Sequence, residues 1–460
     1  MTWPIVCESA ELAVQCLHLA QQLDLAVQPS VETDWLRATR EQRASGQATA
    51  VLLLRVPKLS ELVELAECAH GTSAALVLGV VGAEPGRKLV LDAAGDLGLI
   101  AVSEIRPLLA ALALLAHCAT EAFCASPRSL SAADRARLKP SLAPSSKTAG
   151  QLVSVDATRI GWCAQATQPA VTLGEPRDVA EALDAMRRTE RSAQLVSSSV
   201  DDVDPHAVLD VIFGPRRALS DPASKAALSP YGLPLPVEEL CSSPSRAAAE
   251  ASRIGFPVRI SLASPDLRIW DHPDLSVDMV DNAARVRDTF HQLLAVAHDR
   301  LASDPSLRAA ADNRLLGVMV TATSEAHALL GVRATPLPRG RVAIEVGFAD
   351  PHGRAASDQT VAILPATLDT LERSLRRLQG ADLLFAAPLA QRRTRVDAIC
   401  DVLLRLAAFV HERREEIECV ELRPLALLLD GSVEVREACV SVSDHFERSM
   451  AQAPSAAATR

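Results

Sequence analysis

Five short apolar runs, each followed by an amphipathic stretch, fill the first 120 residues and constrain the fold more than any other feature. The runs are PIVCES (4–9), LAVQPS (25–30), AVLLLRV (50–56), AALVLGVVG (74–82) and LIAVS (99–103). Each has the length and the Val, Ile and Leu enrichment of a buried strand. Segments between them, such as ELAVQCLHLAQQL and KLSELVELAECA, repeat apolar residues at helical spacing. Strands joined through helices run parallel, so the pattern predicts a doubly wound α/β sheet of flavodoxin-like type over residues 1–124.

Beyond residue 124 the chain turns rich in Ser, Pro and Ala (CASPRSLSAADRARLKPSLAPSSKTAG), which reads as a linker with one short helix. An extended QLVSVDA, a helix EPRDVAEALDAMRRT and a strand AQLVSSSV follow. They suffice for a shortened second subdomain over 125–205, not for a full domain. A different pattern begins near residue 206. SDPASKAALSPYGLPLP reads as a helix stopped by Pro230, and SPSRAAAEASRIGFPVRIS as a helix leading into a strand. GVMVTAT and RVAIEVGF read as strands, LDTLERSLRRL and VDAICDVLLRLAAFVHER as helices. CVELRPLALLLDGSVEVREACVSV reads as two strands turning at Asp430 and Gly431. The expectation is a mixed α+β domain over 206–445, with 446–460 as a tail.

Composition removes several function classes. A formal net charge of −10 gives no general attraction to nucleic acid or to an anionic membrane. The most apolar run, LLAALALLA at 108–116, is too short to span a bilayer. The opening MTWPIVCESAEL has an early acid and no basic segment, unlike a secretory signal. The ten cysteines form no CxxC pair and no zinc-like spacing with histidine. They are expected as buried free thiols in a reducing cytoplasm. Glycine, 20 of 460 residues, falls below the usual level of roughly 7%, so glycine-rich phosphate loops are scarce. Neither the P-loop nor the dinucleotide glycine motif occurs, nor GxSxG, nor HExxH.

The only lysines are Lys58, Lys88, Lys139, Lys147 and Lys225, so residues 226–460 contain none. In GFPVRISLASPD (255–266), a strand running into a turn, the residues at alternate positions are Arg259 and Ser261. An aspartyl phosphorylation site would need clustered carboxylates after the first and third strands; those places hold Glu8 and Arg55. His70, in AECAHGTSAAL, is either a nucleophilic histidine or a helix C-terminal residue beside Gly71. His272, in IWDHPD, is either a catalytic or a turn histidine. Glu421 and Glu437, or Glu434, fall on neighbouring strands and could pair around Mg²⁺ or stay solvated.

The order of these segments resembles the NDP-forming acyl-CoA synthetases, relatives of succinyl-CoA synthetase, along most of the chain. PIVCESAELAVQCLHLAQQLDLAVQPSVETD, LVLDAAGDLGLIAVSEIRPLLAALALLA and LSAADRARLKPSLAPSSKTAGQLVSVDA are similar to parts of their flavodoxin-like ligase domain. ALSPYGLPLP, AAAEASRIGFPVRISLASPD, GVMVTATSEAHALLGV, DLLFAAPLAQRRTRVDAICDVLLRLAAF and VELRPLALLLDGSVEVREA resemble their ATP-grasp domain. The resemblance implies interconversion of an acyl-CoA, ADP and phosphate with a free acid, CoA and ATP, through an acyl phosphate and a phosphohistidine. It implies ATP or ADP with Mg²⁺ as cofactor, with Arg259, Ser261, Thr321 and His327 near the nucleotide and Glu421 and Glu437 near the metal. Since the chain opens at the ligase-type domain, it implies CoA bound only through a separate CoA-binding or ligase subunit, or a homo-oligomer.

The departures from that family fall on its chemistry. Its His-Thr-Gly loop has no counterpart beyond His70-Gly71-Thr72. Its ATP-grasp lysine falls at Ser261, and RIWDHPDLS and ADPHGRAA replace its glycine-bearing loops. Its metal-binding Asp and Asn correspond to Glu421 and Arg423, and its final-strand Asp to Arg436. Matches at apolar and turn positions with mismatches at phosphate, metal and nucleophile positions predict a degenerate member, acting as partner, regulator or binding module. An active ligase using Arg259 in place of lysine, and a nucleotide or acyl-CoA sensor without turnover, are the alternatives.

Overall fold

A computed structural model of the chain describes residues 2–22, 25–44, 48–70, 75–81, 86–118, 153–156, 159–162, 181–182, 185, 205–303, 315–366, 368–386 and 389–452. They belong to two compact units, Met1–Leu195 and Val196–Arg460.

In the first unit all five apolar runs become strands: β1 (Trp3–Cys7), β2 (Val27–Val31), β3 (Thr49–Leu53), β4 (Leu76–Val80) and β5 (Ile100–Val102). They pair in parallel in the order β2-β1-β3-β4-β5, the flavodoxin-like arrangement expected. Helices α1 (Ala10–Gln22), α2 (Trp35–Ala44), α3 (Leu59–His70), α4 (Arg87–Asp96) and α5 (Ile105–Cys118) connect or follow them. Strands β3 and β4 are buried along their whole length, because helices cover both faces of a parallel sheet. That is why they read as unbroken apolar runs instead of alternating ones. QLVSVDA supplies β6 (Val153–Asp156), which pairs antiparallel with β7 (Arg159–Trp162). Most of the linker, and AQLVSSSV, lie outside the described residues.

The second unit contains two antiparallel sheets. The smaller has β9 (Glu238–Cys241), β10 (Val258–Ala263), β11 (Ser276–Val280) and β12 (Gly317–Ala322), in the order β11-β10-β12-β9. Its Val258, Ile260, Val318 and Val320 pack with residues of α8 (Pro244–Ile254) and α9 (Ala283–Ser303). Those helices follow α6 (Pro205–Ile212) and α7 (Asp221–Leu228) in the chain. The larger sheet runs β15-β14-β13-β16-β18-β8, with β17 on β16. Its strands are β8 (Arg217–Ala218), β13 (Ala326–Leu337), β14 (Arg341–Ala349), β15 (Ala355–Leu364), β16 (Ile417–Leu428), β17 (Val433–Val435) and β18 (Ala438–Val442). Val332, Ile344, Leu422 and Val440 from this sheet share a core with Ile399, Leu403, Leu406 and Phe409. These four come from α12 (Leu389–Glu412), which follows α10 (Leu368–Arg376) and α11 (Asp382–Phe385).

The C-terminal pair of strands expected from the sequence is three. The turn falls at Asp430 and Gly431 as expected, with Gly431 at φ 92°. The returning strand then breaks at Arg436 and Glu437, opposite Pro424, which has no N–H to give the ladder. There Arg436 N donates to Pro424 O, and Arg423 N to Glu437 O. Residues at the start of the expected tail form α13 (His445–Gln452), where Phe446 meets Phe213 edge-to-face at 4.9 Å.

Among the described residues no helix is long and apolar enough to cross a membrane. Cys7, Cys16, Cys241, Cys400, Cys419 and Cys439 are free and buried, and Cys68 is free and half-buried.

Gly317 begins β12 at φ +128°, where an added Cβ would lie 2.2 Å from Cys241 O. Backbone cannot yield as a side-chain tip does, so Gly317→Ala should destabilise the second unit by roughly 2 kcal/mol or more. Urea unfolding followed by far-UV dichroism checks this; an unchanged midpoint contradicts the packing described.

Candidate functional site

Alternation along a strand sends every second side chain to one face. In the small sheet Val258 and Ile260 go to the helical core, leaving Arg259 and Ser261 on the opposite face. Arg259 is registered against Thr321, and Thr321 against Glu238. In the large sheet the same rule leaves a row of charge across three strands, ending at a cysteine on a fourth. Glu345 on β14 faces Arg333 on β13, Arg333 faces Glu421 on β16, and Glu421 faces Cys439 on β18. These two polar faces, one from each sheet, form the candidate site.

Burying charge is costly unless each group finds a partner, and here the partners come from across the site. Arg259 Nη2 lies 3.1 Å from Glu437 Oε1, with the two side chains 11% and 6% exposed. Its Nε donates to Ser276 Oγ at 2.9 Å. Arg268, in the loop after β10, places Nη1 3.3 Å from Glu421 Oε2. Arg423 Nη2 lies 2.8 Å from the other oxygen, Glu421 Oε1. Arg354, between β14 and β15, donates from Nε to Trp270 O at 3.1 Å.

At the other end Lys225 is 3% exposed. Its Nζ lies 2.8 Å from Glu238 Oε2 and 3.0 Å from Asp221 Oδ2, and donates to Arg436 O at 2.7 Å. Thr321 Oγ1 donates to the same Glu238 oxygen at 3.3 Å. Burial works against the charge on Lys225, but Asp221, Glu238 and Glu437 outweigh it and hold the ammonium above its ordinary range. Burial also raises Glu238 and Glu345. It pushes the Glu437 carboxyl from 4.5 up to about 8, helped by Asp221 and against the pull of Arg259 and Lys225.

The residues singled out in the sequence thus divide. Arg259, Thr321 and Glu437 share one network, joined by Ser276, Glu238 and Lys225. Ser261 is buried opposite Met319 and Ser276. Glu421 sits between Arg268 and Arg423. Glu434 points elsewhere, accepting from Ser324 Oγ at 2.7 Å and lying 3.5 Å from Arg436 Nε. His327 Nε2 meets Leu383 O at 2.9 Å and Arg395 Nη1 at 3.3 Å, beside helices α11 and α12. His272 precedes a short 3-10 turn, Pro273–Leu275. His70 is the last residue of α3, and Gly71 and Thr72 lie outside the described residues.

Sequence reading missed Lys225, Asp221 and Glu238, an ion cluster built around a buried ammonium. The signal was present in part: Asp221 and Lys225 are four apart, neighbours on one helix face. It also missed Arg333 and Glu345, each the one charged residue in an apolar strand stretch.

An ATP-grasp fold implies Mg²⁺ held by carboxylates, and these residues do not fit the ion. Each oxygen of Glu421 already faces a guanidinium, and Glu437 is paired with Arg259. Among the described residues no group of three or more His, Cys, Asp and Glu side chains is arranged to hold a metal.

Two facing antiparallel sheets with this polar space between them define the class: the chain belongs to the ATP-grasp domain family, whose model matches residues 210–442, just over half of its length. The beta subunit of ADP-forming acetate–CoA ligase II from Pyrococcus furiosus is 23% identical over 224 residues, covering 48% of this chain and 90% of that one. The resemblance to the NDP-forming acyl-CoA synthetases stands with that relative. Among solved structures, a dinucleotide-forming acetyl-coenzyme A synthetase 1 of Ca. Korarchaeum cryptofilum is 18% identical. It covers 49% of this chain and 94% of its own, with a TM-score of 0.42. A Pyrococcus horikoshii Ot3 protein is 20% identical, covering 52% and 99%, with a TM-score of 0.44.

Glu437 gives the site a pH signature. Burial pushes its carboxyl in the folded chain up to about 8 from an ordinary value near 4.5, so across that window the folded state holds a proton the unfolded state has released. Its contribution is complete below about pH 4.5 and is lost as pH rises through 8. The urea midpoint of the second unit should fall over that window, and Glu437→Gln should flatten the fall. An unaltered slope in the variant contradicts the assignment.

Proposed function

We propose that this chain is a catalytically degenerate relative of the NDP-forming acyl-CoA synthetases, a cytoplasmic ATP-grasp protein that serves as a binding partner or regulator instead of a ligase. The observation that carries this reading is the guanidinium pairing of Glu421. A carboxylate already balanced by Arg268 and Arg423 has its charge compensated by two guanidinium groups, which opposes its recruitment by Mg²⁺. Phosphoryl transfer in this fold class depends on metal and cationic groups placed around the phosphates. Here Ser261 stands where the family has its lysine, and Lys225 is fully engaged with Asp221 and Glu238.

The first unit supports the same reading. In sheets of order β2-β1-β3-β4-β5 the crevice between β1 and β3 at their C-terminal ends is the usual ligand site. Here Glu8 follows β1 and accepts from the backbone N–H groups of Leu54 and Arg55, at 2.8 and 3.2 Å, and from Arg55 Nε at 3.0 Å. Arg55 also reaches both oxygens of Glu61, at 2.9 and 2.7 Å. The protein's own ion pairs stand at that crevice, as others do in the ATP-grasp site. Coverage of 90% of a chain named as a beta subunit supports a role as one component of an assembly with a separate CoA-binding or ligase subunit.

Purified chain mixed with ATP, Mg²⁺, CoA and short-chain acids should form no acyl-CoA above the background of a Glu421→Ala variant, assayed by chromatography. Turnover that the variant abolishes would establish an active ligase instead.

A further inference from the structure

The contacts of the polar site have a direction in common. Arg259, Arg268, Trp270 and Glu238 belong to the small sheet and its loops, whereas Glu437, Glu421, Arg354 and Lys225 belong to the large sheet or to α7 beneath it. Leu228 of α7 lies in the large-sheet core, and Ala438 N of β18 donates to Asp221 Oδ1 at 2.8 Å, so α7 moves with that sheet. Four contacts therefore cross the space where this fold class places its nucleotide: Arg259 to Glu437 at 3.1 Å, Arg268 to Glu421 at 3.3 Å, Arg354 to Trp270 O at 3.1 Å, and Lys225 to Glu238 at 2.8 Å.

We infer that these contacts form a latch that holds the two sheets of the ATP-grasp unit closed against one another. The inference rests on the degenerate-site reading and adds a conformational consequence to it. Glu421 stands as a bound anion would, between a guanidinium of each side: it accepts from Arg268 of the small-sheet loop and pairs with Arg423 of β16 itself. Arg268 is further set over the Trp270 ring, 5.7 Å from its centroid, and the Trp270 carbonyl is bound in turn by Arg354. Gly353 brings the β14–β15 turn against β16, where an added Cβ would lie 2.6 Å from Arg423 O. The turn that carries Arg354 is thus seated on the strand that carries Glu421, and loop, turn and strand close on one another.

The groups facing these contacts are of both signs. Asp278 lies 3.5 Å from Arg259 Nε on the exposed side. Arg436 is held by Glu434 and by the carbonyl and hydroxyl of Ser324. Opening the latch would take Arg259 from Glu437, Arg268 from Glu421 and Glu238 from Lys225, and separating these low-exposure charges is the cost that keeps it shut.

Amide hydrogen exchange on the full chain tests this. In the wild type, exchange across 264–275 and 350–354 should be slow and should change less than twofold on adding Mg²⁺ and ADP. The double substitution Arg259→Met with Arg268→Met should speed exchange in 264–275 at least tenfold while β13 and α12 keep their protection, which shows that the variant is folded. Glu421→Gln, which keeps the side-chain size, should give a smaller rise in the same segment. Wild-type exchange that is already fast there, that Mg²⁺ and ADP slow more than tenfold, or that neither variant alters would overturn the latch. Acyl-CoA formation would overturn the degenerate-site reading without touching these rates, so the two failures are distinguishable.

Discussion

Arginine–carboxylate pairing on surfaces that face inward is the constraint on which the rest of this structure depends. The large sheet of the ATP-grasp unit sends apolar side chains to α12 and charged ones to its other face, because alternation leaves no third choice. On that face Glu421 is buried, Glu345 and Arg423 are half-buried and Arg333 is exposed; Glu421 is met by Arg423 and, from across the cleft, by Arg268, while Arg259 meets the buried Glu437. Removing one partner of such a pair leaves a buried charge uncompensated, at a cost of roughly 3–5 kcal/mol. The geometry of the cleft follows from this: the small sheet sits where its arginines can meet the carboxylates of the large one.

The same chemistry recurs in the flavodoxin-like unit on an unrelated topology. Glu8 and Arg55 come from the ends of the two adjacent strands that frame the usual ligand crevice, and Glu61 from the first turn of α3 completes the set. Burial is lighter here, with Arg55 40% exposed at its side chain, and the pairs contribute less than those of the cleft. In both units a place that the fold offers to a ligand holds a guanidinium shared between carboxylates. A chain with few lysines and many arginines is suited to this, since a planar fork can satisfy two acceptors where an ammonium presents a point charge.

The architecture was legible because it is written in local periods. Five apolar runs became five parallel strands, and the helix–strand succession after residue 206 became the ATP-grasp unit, with the turn at Asp430 and Gly431 in place. What the local pattern did not contain was which polar residues meet. Lys225 was visible as the last lysine of the chain, but its partners Glu238 and Arg436 are 13 and 211 residues away. Glu421 and Glu437 were expected as a possible pair; a strand break opposite Pro424 lies between them, and Glu421 takes Arg268 and Arg423 while Glu437 takes Arg259. His327 shares a strand with Arg333 yet turns to Leu383 and Arg395. Such pairings are decided by tertiary packing, which no period of two or 3.6 encodes.

On the function proposed above, the protein's own side chains stand in for nucleotide and metal in the ATP-grasp cleft. Titration calorimetry of the full chain with ATP and Mg²⁺, carried to millimolar concentration, tests it most directly. The account predicts dilution heats alone, with no saturable site. A one-site isotherm that disappears when Mg²⁺ is withheld would contradict it.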